Sequence, residues 1–198
     1  MFHKMKIILS LLVILHFIVS CNNPKVENKK ITELTNNSYQ WNSPDENATI
    51  SLIYTKTTID DNDLISKLEH EFKKDKFKIE KIEFMEENTY DNCDDNLILK
   101  ITGKGIKKYY VKRQESKPKN HYPDLVMWIY EFETEGETVE VEKEIRKAFD
   151  SGNSFCNGKS PEYIVRYKNK IIHLGTRAEM FRDYVKTYAE KIKQFNNF

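Results

Sequence analysis

The chain has 198 residues, 39% of them hydrophobic and 32% charged, with 32 Lys+Arg set against 31 Asp+Glu. That length suits one globular domain, and the near-zero balance provides no strong field to draw in nucleic acid. The 11 Phe, 11 Tyr and 2 Trp can each bury a large area, and only 6 Gly and 5 Pro are present. This composition supports a packed core and excludes a collagen-like or low-complexity chain.

Residues 1–20 read as an export signal. Lys4 and Lys6 precede a run of 13 residues, Ile7 to Val19, that is apolar apart from Ser10 and His16. A membrane-spanning helix needs roughly 20 such residues, so the run fits a removable signal core better than a permanent anchor. Met5 is an alternative start. The run ends in Ile18-Val19-Ser20-Cys21, which resembles the lipobox of bacterial lipoproteins: an aliphatic residue, a tolerant position, a small residue, then cysteine. The resemblance implies a diacylglycerol thioether on Cys21, cleavage before it, and acylation of the new amino group. Several buried chains, at about 0.8 kcal/mol per methylene, would anchor the protein to a membrane. The resemblance covers the first 21 residues alone and carries no implication about activity.

Cleavage would leave 30 basic and 31 acidic side chains. Asn22 stands where some bacterial lipoproteins carry an inner-membrane retention aspartate, which points to the outer membrane. Asn23-Pro24-Lys25 lacks the acidic cluster that marks surface export in some bacterial groups, so the periplasmic face is expected. Residues 21–47, rich in Asn, Lys and Glu, read as a lipid-anchored tether, with Tyr39 and Trp41 able to dock onto the domain. Asn36 and Asn47 begin glycosylation sequons, which are coincidental in a bacterial lipoprotein.

The globular domain is expected over residues 48–198. Ala48 to Thr55 has strand composition, and Asp60-Asp61 can cap a helix with the stripe Leu64, Ile65, Leu68 and Phe72. Phe77, Ile79, Ile82 and Phe84 alternate but slip near Lys81, which predicts a bulged strand. Leu97, Leu99 and Ile101 alternate, and Gly103-Lys104-Gly105 is expected to turn them into a hairpin with Ile106 to Arg113. After a loop at Ser116 to Asp124, Leu125 to Glu133 is apolar on both faces, as a central strand would be. Thr138 is the expected cap of a helix with the stripe Val141, Ile145, Ala148 and Phe149. A second hairpin should join Tyr163–Tyr167 to Ile171–Leu174. Thr176 and Glu179 have capping-box spacing ahead of a last helix striped by Phe181, Tyr184, Val185, Tyr188, Ile192 and Phe195. The predicted class is α+β, a mainly antiparallel sheet with about three packed helices. Each half holds a strand, a helix and a hairpin, which leaves open an old duplication of a βαββ unit.

Cys93 and Cys156 remain after the anchor. In an oxidising compartment they are most simply a disulfide, the alternative being a catalytic thiol with His70, His121 or His173 as base. Asp91, Asp94 and Asp95 invite a calcium reading, but the sixth position of the loop is Asn96 rather than glycine and a strand follows, so a solvated acidic turn is expected. Gly158-Lys159-Ser160 ends like a phosphate loop, yet Asn153 replaces the required glycine. Seven basic side chains from Lys104 to Lys119 flank Tyr109 and Tyr110, with an acidic run from Glu131 to Glu144 not far behind. Cross-strand compensation between the two runs is expected in preference to a nucleic-acid surface. No nucleophile elbow, His-Glu-x-x-His or paired Cys-x-x-Cys occurs. The expectation is therefore a lipid-anchored, non-catalytic domain that needs no cofactor or metal and binds a protein or envelope ligand. An envelope hydrolase using Cys156 or the Asp91–Asp95 cluster, and an inhibitor or immunity lipoprotein, are the alternatives.

Overall fold

A computed structural model describes residues 43–158 and 160–196. The expected export signal, Cys21, Tyr39, Trp41 and the Asn36 sequon lie outside the described residues. The elements are β1 (Thr49–Tyr54), α1 (Asn62–Lys74), β2 (Phe77–Phe84), β3 (Glu87–Asn92), β4 (Leu97–Thr102) and β5 (Ile106–Arg113). They continue as β6 (Asp124–Glu131), α2 (Glu135–Ser154), β7 (Glu162–Tyr167), β8 (Lys170–Gly175), a short 3-10 turn (Glu179–Phe181) and α3 (Arg182–Phe195). The fold is α+β with two sheets. An antiparallel five-stranded sheet has the order β2-β5-β6-β8-β7, and a three-stranded sheet has the order β1-β4-β3, with β1 parallel to β4.

β6 is the central strand of the large sheet, as its two-sided apolar content requires. Leu125, Met127 and Ile129 point to one face, where Leu64, Leu68 and Phe72 of α1 and Val185, Tyr188 and Ile192 of α3 pack with them. Tyr130 points to the other face, against Tyr90, Leu99 and Ile101 of the small sheet and Val141, Ile145 and Ala148 of α2. The large sheet is thus the middle layer between two separate cores. The β2 bulge falls between Ile79 and Lys81, as the slip in alternation predicts. The second hairpin forms as expected, β7 against β8.

The expected hairpin between β4 and β5 does not form, because the two strands lie in different sheets. Gly103-Lys104-Gly105 carries the chain from one sheet to the other through a passage too tight for side chains. A Cβ at Gly105 would stand 2.9 Å from the carbonyl oxygens of both Glu131 and Lys56. β3, of sequence ENTYDN, is a strand where the sequence reading placed none; on a sheet edge it buries only Tyr90 and Asn92.

Three helix starts also differ from expectation. Of the expected pair, Asp60 accepts from Asn62 N at 3.4 Å, whereas Asp61, at the α1 cap position, accepts from Lys107 Nζ at 2.7 Å and from the Tyr109 hydroxyl rather than from the helix. α2 is capped by Thr134, whose hydroxyl accepts from Glu137 N at 3.1 Å; Thr138 is buried one turn later. The Thr176–Glu179 box is not used, since α3 begins at Arg182 and the Thr176 hydroxyl donates to Asp124 at 3.1 Å.

Glu131 closes the edge of the small-sheet core. It is 3% exposed, and its carboxylate accepts from Asp60 N at 2.7 Å and faces the ammonium groups of Lys56 and Lys170, each at 3.4 Å. It thereby pins the β1–α1 connection to the ends of β6 and β8. Removing one member of a buried ion cluster leaves an uncompensated charge, here that of Lys170. Glu131→Ala should lower the unfolding free energy by about 3 kcal/mol in denaturant titration. Lys143→Ala breaks the exposed Lys143–Glu140 pair and should change it by less than about 1 kcal/mol.

Candidate functional site

The small sheet and α2 cover only one end of the large sheet's inner face. That covered end carries Ile106, Tyr130 and Ile171, which lie side by side in register. Toward the other end, Lys108, Trp128 and His173 form one cross-strand row. Tyr110, Val126, Gly175 and Glu162 form the next, and Lys112 faces Asp124 beyond it. The second row is low in its middle, where Val126 and Gly175 stand between larger side chains. The result is an open cleft of about 550 Å³. A Cβ on Gly175 would lie 3.3 Å from Glu162 Cγ, so the absence of a side chain there keeps the floor of the cleft clear.

Aromatic rings and cations share the floor. Lys108 Nζ lies 4.3 Å from the centre of the Trp128 ring and 5.0 Å from that of Tyr110, distances of cation–π attraction. Lys112 Nζ lies 5.4 Å from the Tyr122 ring centre. Among the described residues, no carboxylate stands within ion-pair distance of Lys108 or Lys112. Of the other charges lining the cleft, Arg177 is bound to Asp124 at 2.6 Å, Glu162 faces His173 Nε2 at 3.2 Å, and Glu80 stands exposed at the rim.

Behind the cleft wall runs a buried polar chain. Asn88 Nδ2 donates to the Tyr130 hydroxyl at 2.6 Å. The Tyr130 and Tyr90 hydroxyls are 2.6 Å apart, and Tyr90 lies 3.0 Å from His173 Nδ1. Asn88 is the donor to Tyr130, and the hydroxyl pair and the imidazole continue the chain by hydrogen bonds from there. On its other side, His173 Nε2 lies 3.2 Å from a Glu162 carboxylate oxygen. Both imidazole nitrogens are therefore committed, and burial of Tyr90 and Tyr130 holds their phenols well above the ordinary value. Their hydroxyls are buried, and the chain joins the two sheets, with His173 and Glu162 at its end lining the cleft.

The other residues singled out from sequence divide into separate places. The sulfurs of Cys93 and Cys156 meet at disulfide distance, with Cα atoms 5.9 Å apart, where β3 ends beside the last turn of α2. Gly152, at φ +57°, lets the backbone pass there, a Cβ on it being 3.5 Å from Cys93 Cβ. Asp94 accepts from Gly152 N at 3.1 Å, and Asp95 pairs with Lys147 at 2.6 Å. The acidic turn thus fastens β3 to α2, and among the described residues no three His, Cys, Asp or Glu side chains are grouped to hold a metal. His70 and His121 are exposed elsewhere. β5 and β6 are neighbours as expected, but the two charge runs do not pair with each other. Glu131 takes Lys56 and Lys170, Glu142 takes Arg146 and Arg166, and Lys107 takes Asp61. Compensation across the strands is therefore corrected: Lys108 and Lys112 face the cleft without carboxylate partners. The sequence signal for this was the Lys-x-Tyr-x-Lys alternation of residues 108–112, which puts all three side chains on one face of a strand.

Compared with protein families, with curated proteins and with solved structures, the chain has no match.

Four tyrosines give the fold a pH signature. Burial first, then a hydrogen-bonded carboxylate (Asp61 and Asp75 respectively), also pushes Tyr109 and Tyr188 upward, alongside Tyr90 and Tyr130. Each phenol keeps its proton in the folded state at a pH where the unfolded chain gives it up. Stability is thus complete below pH about 10 and falls as pH rises beyond it. Alkaline titration followed by phenolate absorbance should show a lag for these groups, then a cooperative rise coinciding with loss of circular dichroism. A gradual titration of every tyrosine in the folded protein would contradict this.

Proposed function

We propose that the chain is a lipid-anchored protein of the cell envelope, held at the periplasmic face of the outer membrane through Cys21. Its domain is non-catalytic and binds a small anionic ligand in the sheet-face cleft. The observation that carries the binding reading is the pairing of Lys108 and Lys112, without carboxylate partners, with the aromatic floor of Trp128 and Tyr110. Such a floor suits a ligand with a flat apolar ring, and the lysines suit a negative group attached to it. The argument against catalysis is chemical. Cys156 is tied up with Cys93, both His173 nitrogens are engaged, and the Thr176 hydroxyl that donates to Asp124 at the cleft is itself buried. The anchor rests on the charged start, the short apolar run and the lipobox-like Ile18-Val19-Ser20-Cys21. Among the described residues, no helix is long and apolar enough to cross a membrane.

Two experiments test the two parts separately. Mass spectrometry of the amino terminus from native cells should find a lipidated Cys21, and Cys21→Ser should move the protein out of the membrane fraction; an unmodified Cys21 or a mature start elsewhere removes the anchor. Calorimetric titration of the full chain with glucuronate and with benzoate, using glucose as the uncharged counterpart, should give binding with at least one acid and none with glucose. Lys108→Ala with Lys112→Ala should weaken that binding by about tenfold or more. Failure of both acids to bind, or binding unaffected by the double substitution, overturns the ligand reading.

A further inference from the structure

The three-stranded sheet ends in an edge strand whose exposed side is apolar. β1 pairs with β4 alone, and among the described residues no strand occupies its other edge. Ile50, Leu52 and Tyr54 are 60%, 52% and 64% exposed, while Ile53 between them turns toward the core. Thr49 N and Thr55 N donate to Asn96 O and Thr102 O, so the odd-numbered residues direct their backbone groups toward β4. By strand geometry the N–H and C=O groups of residues 50, 52 and 54 then point to the open edge. The same three residues thus present free backbone pairing groups and bare apolar side chains. Next to them on the outer face, Ile98 of β4 lies beside Ile50 and extends the patch. Native edges usually carry a charge, a proline or a bulge against pairing. Within β1, TISLIY, none is present.

We infer that this edge is a self-association surface, on which β1 of a second copy adds antiparallel to make one continuous six-stranded sheet. The sequence around Leu52 is what singles out a second copy. Pairing Leu52 with Leu52 of the other molecule sets Ile50 against Tyr54 and Tyr54 against Ile50, so every exposed apolar residue meets another. A shift by two residues either way would leave Ile50 facing Lys56 or Tyr54 facing Ala48. The strand ends also differ in charge, with exposed Glu46 ahead of β1 and behind it Lys56, whose partly exposed ammonium is shared with Glu131. Antiparallel pairing brings these ends together across the two copies, whereas parallel pairing would superpose like charges. A two-fold interface needs a patch complementary to itself, and this strand supplies one. A single strand pair buries less than the roughly 1,200–2,000 Å² of a standard interface, so the dimer is a weak one.

Cysteine cross-linking of the full chain in the membranes of producing cells tests both the pairing and its register. In the proposed arrangement the two Leu52 Cα atoms stand about 5.5 Å apart, within disulfide reach. Oxidation should therefore join Leu52→Cys chains into dimers about fivefold more efficiently than Ile50→Cys or Tyr54→Cys alone. Co-expression of those last two variants should restore cross-linking. Leu52→Lys should abolish dimers seen with an amine cross-linker in the otherwise wild-type chain while leaving circular dichroism unchanged. No Leu52→Cys dimer, equal joining at all three positions, or joining of Leu52→Cys to a different protein would each overturn the proposal.

Discussion

Burial of β6 on both of its faces is the constraint from which the rest of the structure follows. Leu125, Met127 and Ile129 need cover on one side and Tyr130 on the other. No single additional layer can meet both demands. The chain meets them with α1 and α3 on one face and with the small sheet and α2 on the opposite one. The strands flanking β6 reflect this. In β5, Tyr109 and Val111 join the helical core while Ile106 joins the other, and in β8 Ile172 and Leu174 divide in the same way from Ile171.

A three-layer arrangement needs polar groups to fix the order of its layers, because apolar packing is tolerant of sliding. Two clusters serve this purpose. The Asn88–Tyr130–Tyr90–His173–Glu162 chain crosses from the small sheet to the large one through successive polar contacts of 2.6 to 3.2 Å. Glu131 does the same at the far end of β6, holding the β1–α1 connection and the β7–β8 turn. The bond between Cys93 and Cys156 adds a covalent link from β3 to the end of α2, where Asp94 and Asp95 reinforce it. The small sheet is thus fastened at several points even though it has only three strands.

What was legible in the sequence is what one segment declares by itself. The stripe of α1 and α3, the two-sided β6, the slip at Lys81 and the tight turn at Lys168-Asn169 each announce an element through local periodicity or turn chemistry. β3 could not be read because an edge strand with one wet face needs only two buried side chains, and Asn92 does not look like one of them. The partition of β4 and β5 between sheets was hidden for a different reason. Gly103 and Gly105 signal a turn equally well whether the chain doubles back or passes to another layer. The cap errors share a cause too: Asp61 and Thr176 have better partners in distant strands, Tyr109 with Lys107 and Asp124, than in their own helices. The cleft was legible only in part. Lys108, Tyr110 and Lys112 announce a common face, but its hollow depends on Val126 and Gly175 lying side by side, which is a property of register.

The cleft is also a consequence of that central constraint. The inner face of the large sheet is about as long as its eight-residue strands β5 and β6, whereas β3 and β4 have six residues each and reach only one end of it. An uncovered end of a sheet would normally carry small polar side chains. This one carries Trp128, Tyr110 and two lysines, Lys108 opposite Glu83 of β2 and Lys112 opposite Asp124 of β6, neither within ion-pair distance. Trp128 stacks on Tyr130 and packs against the small-sheet core, so the uncovered end of the sheet continues that core outward as far as the two lysines.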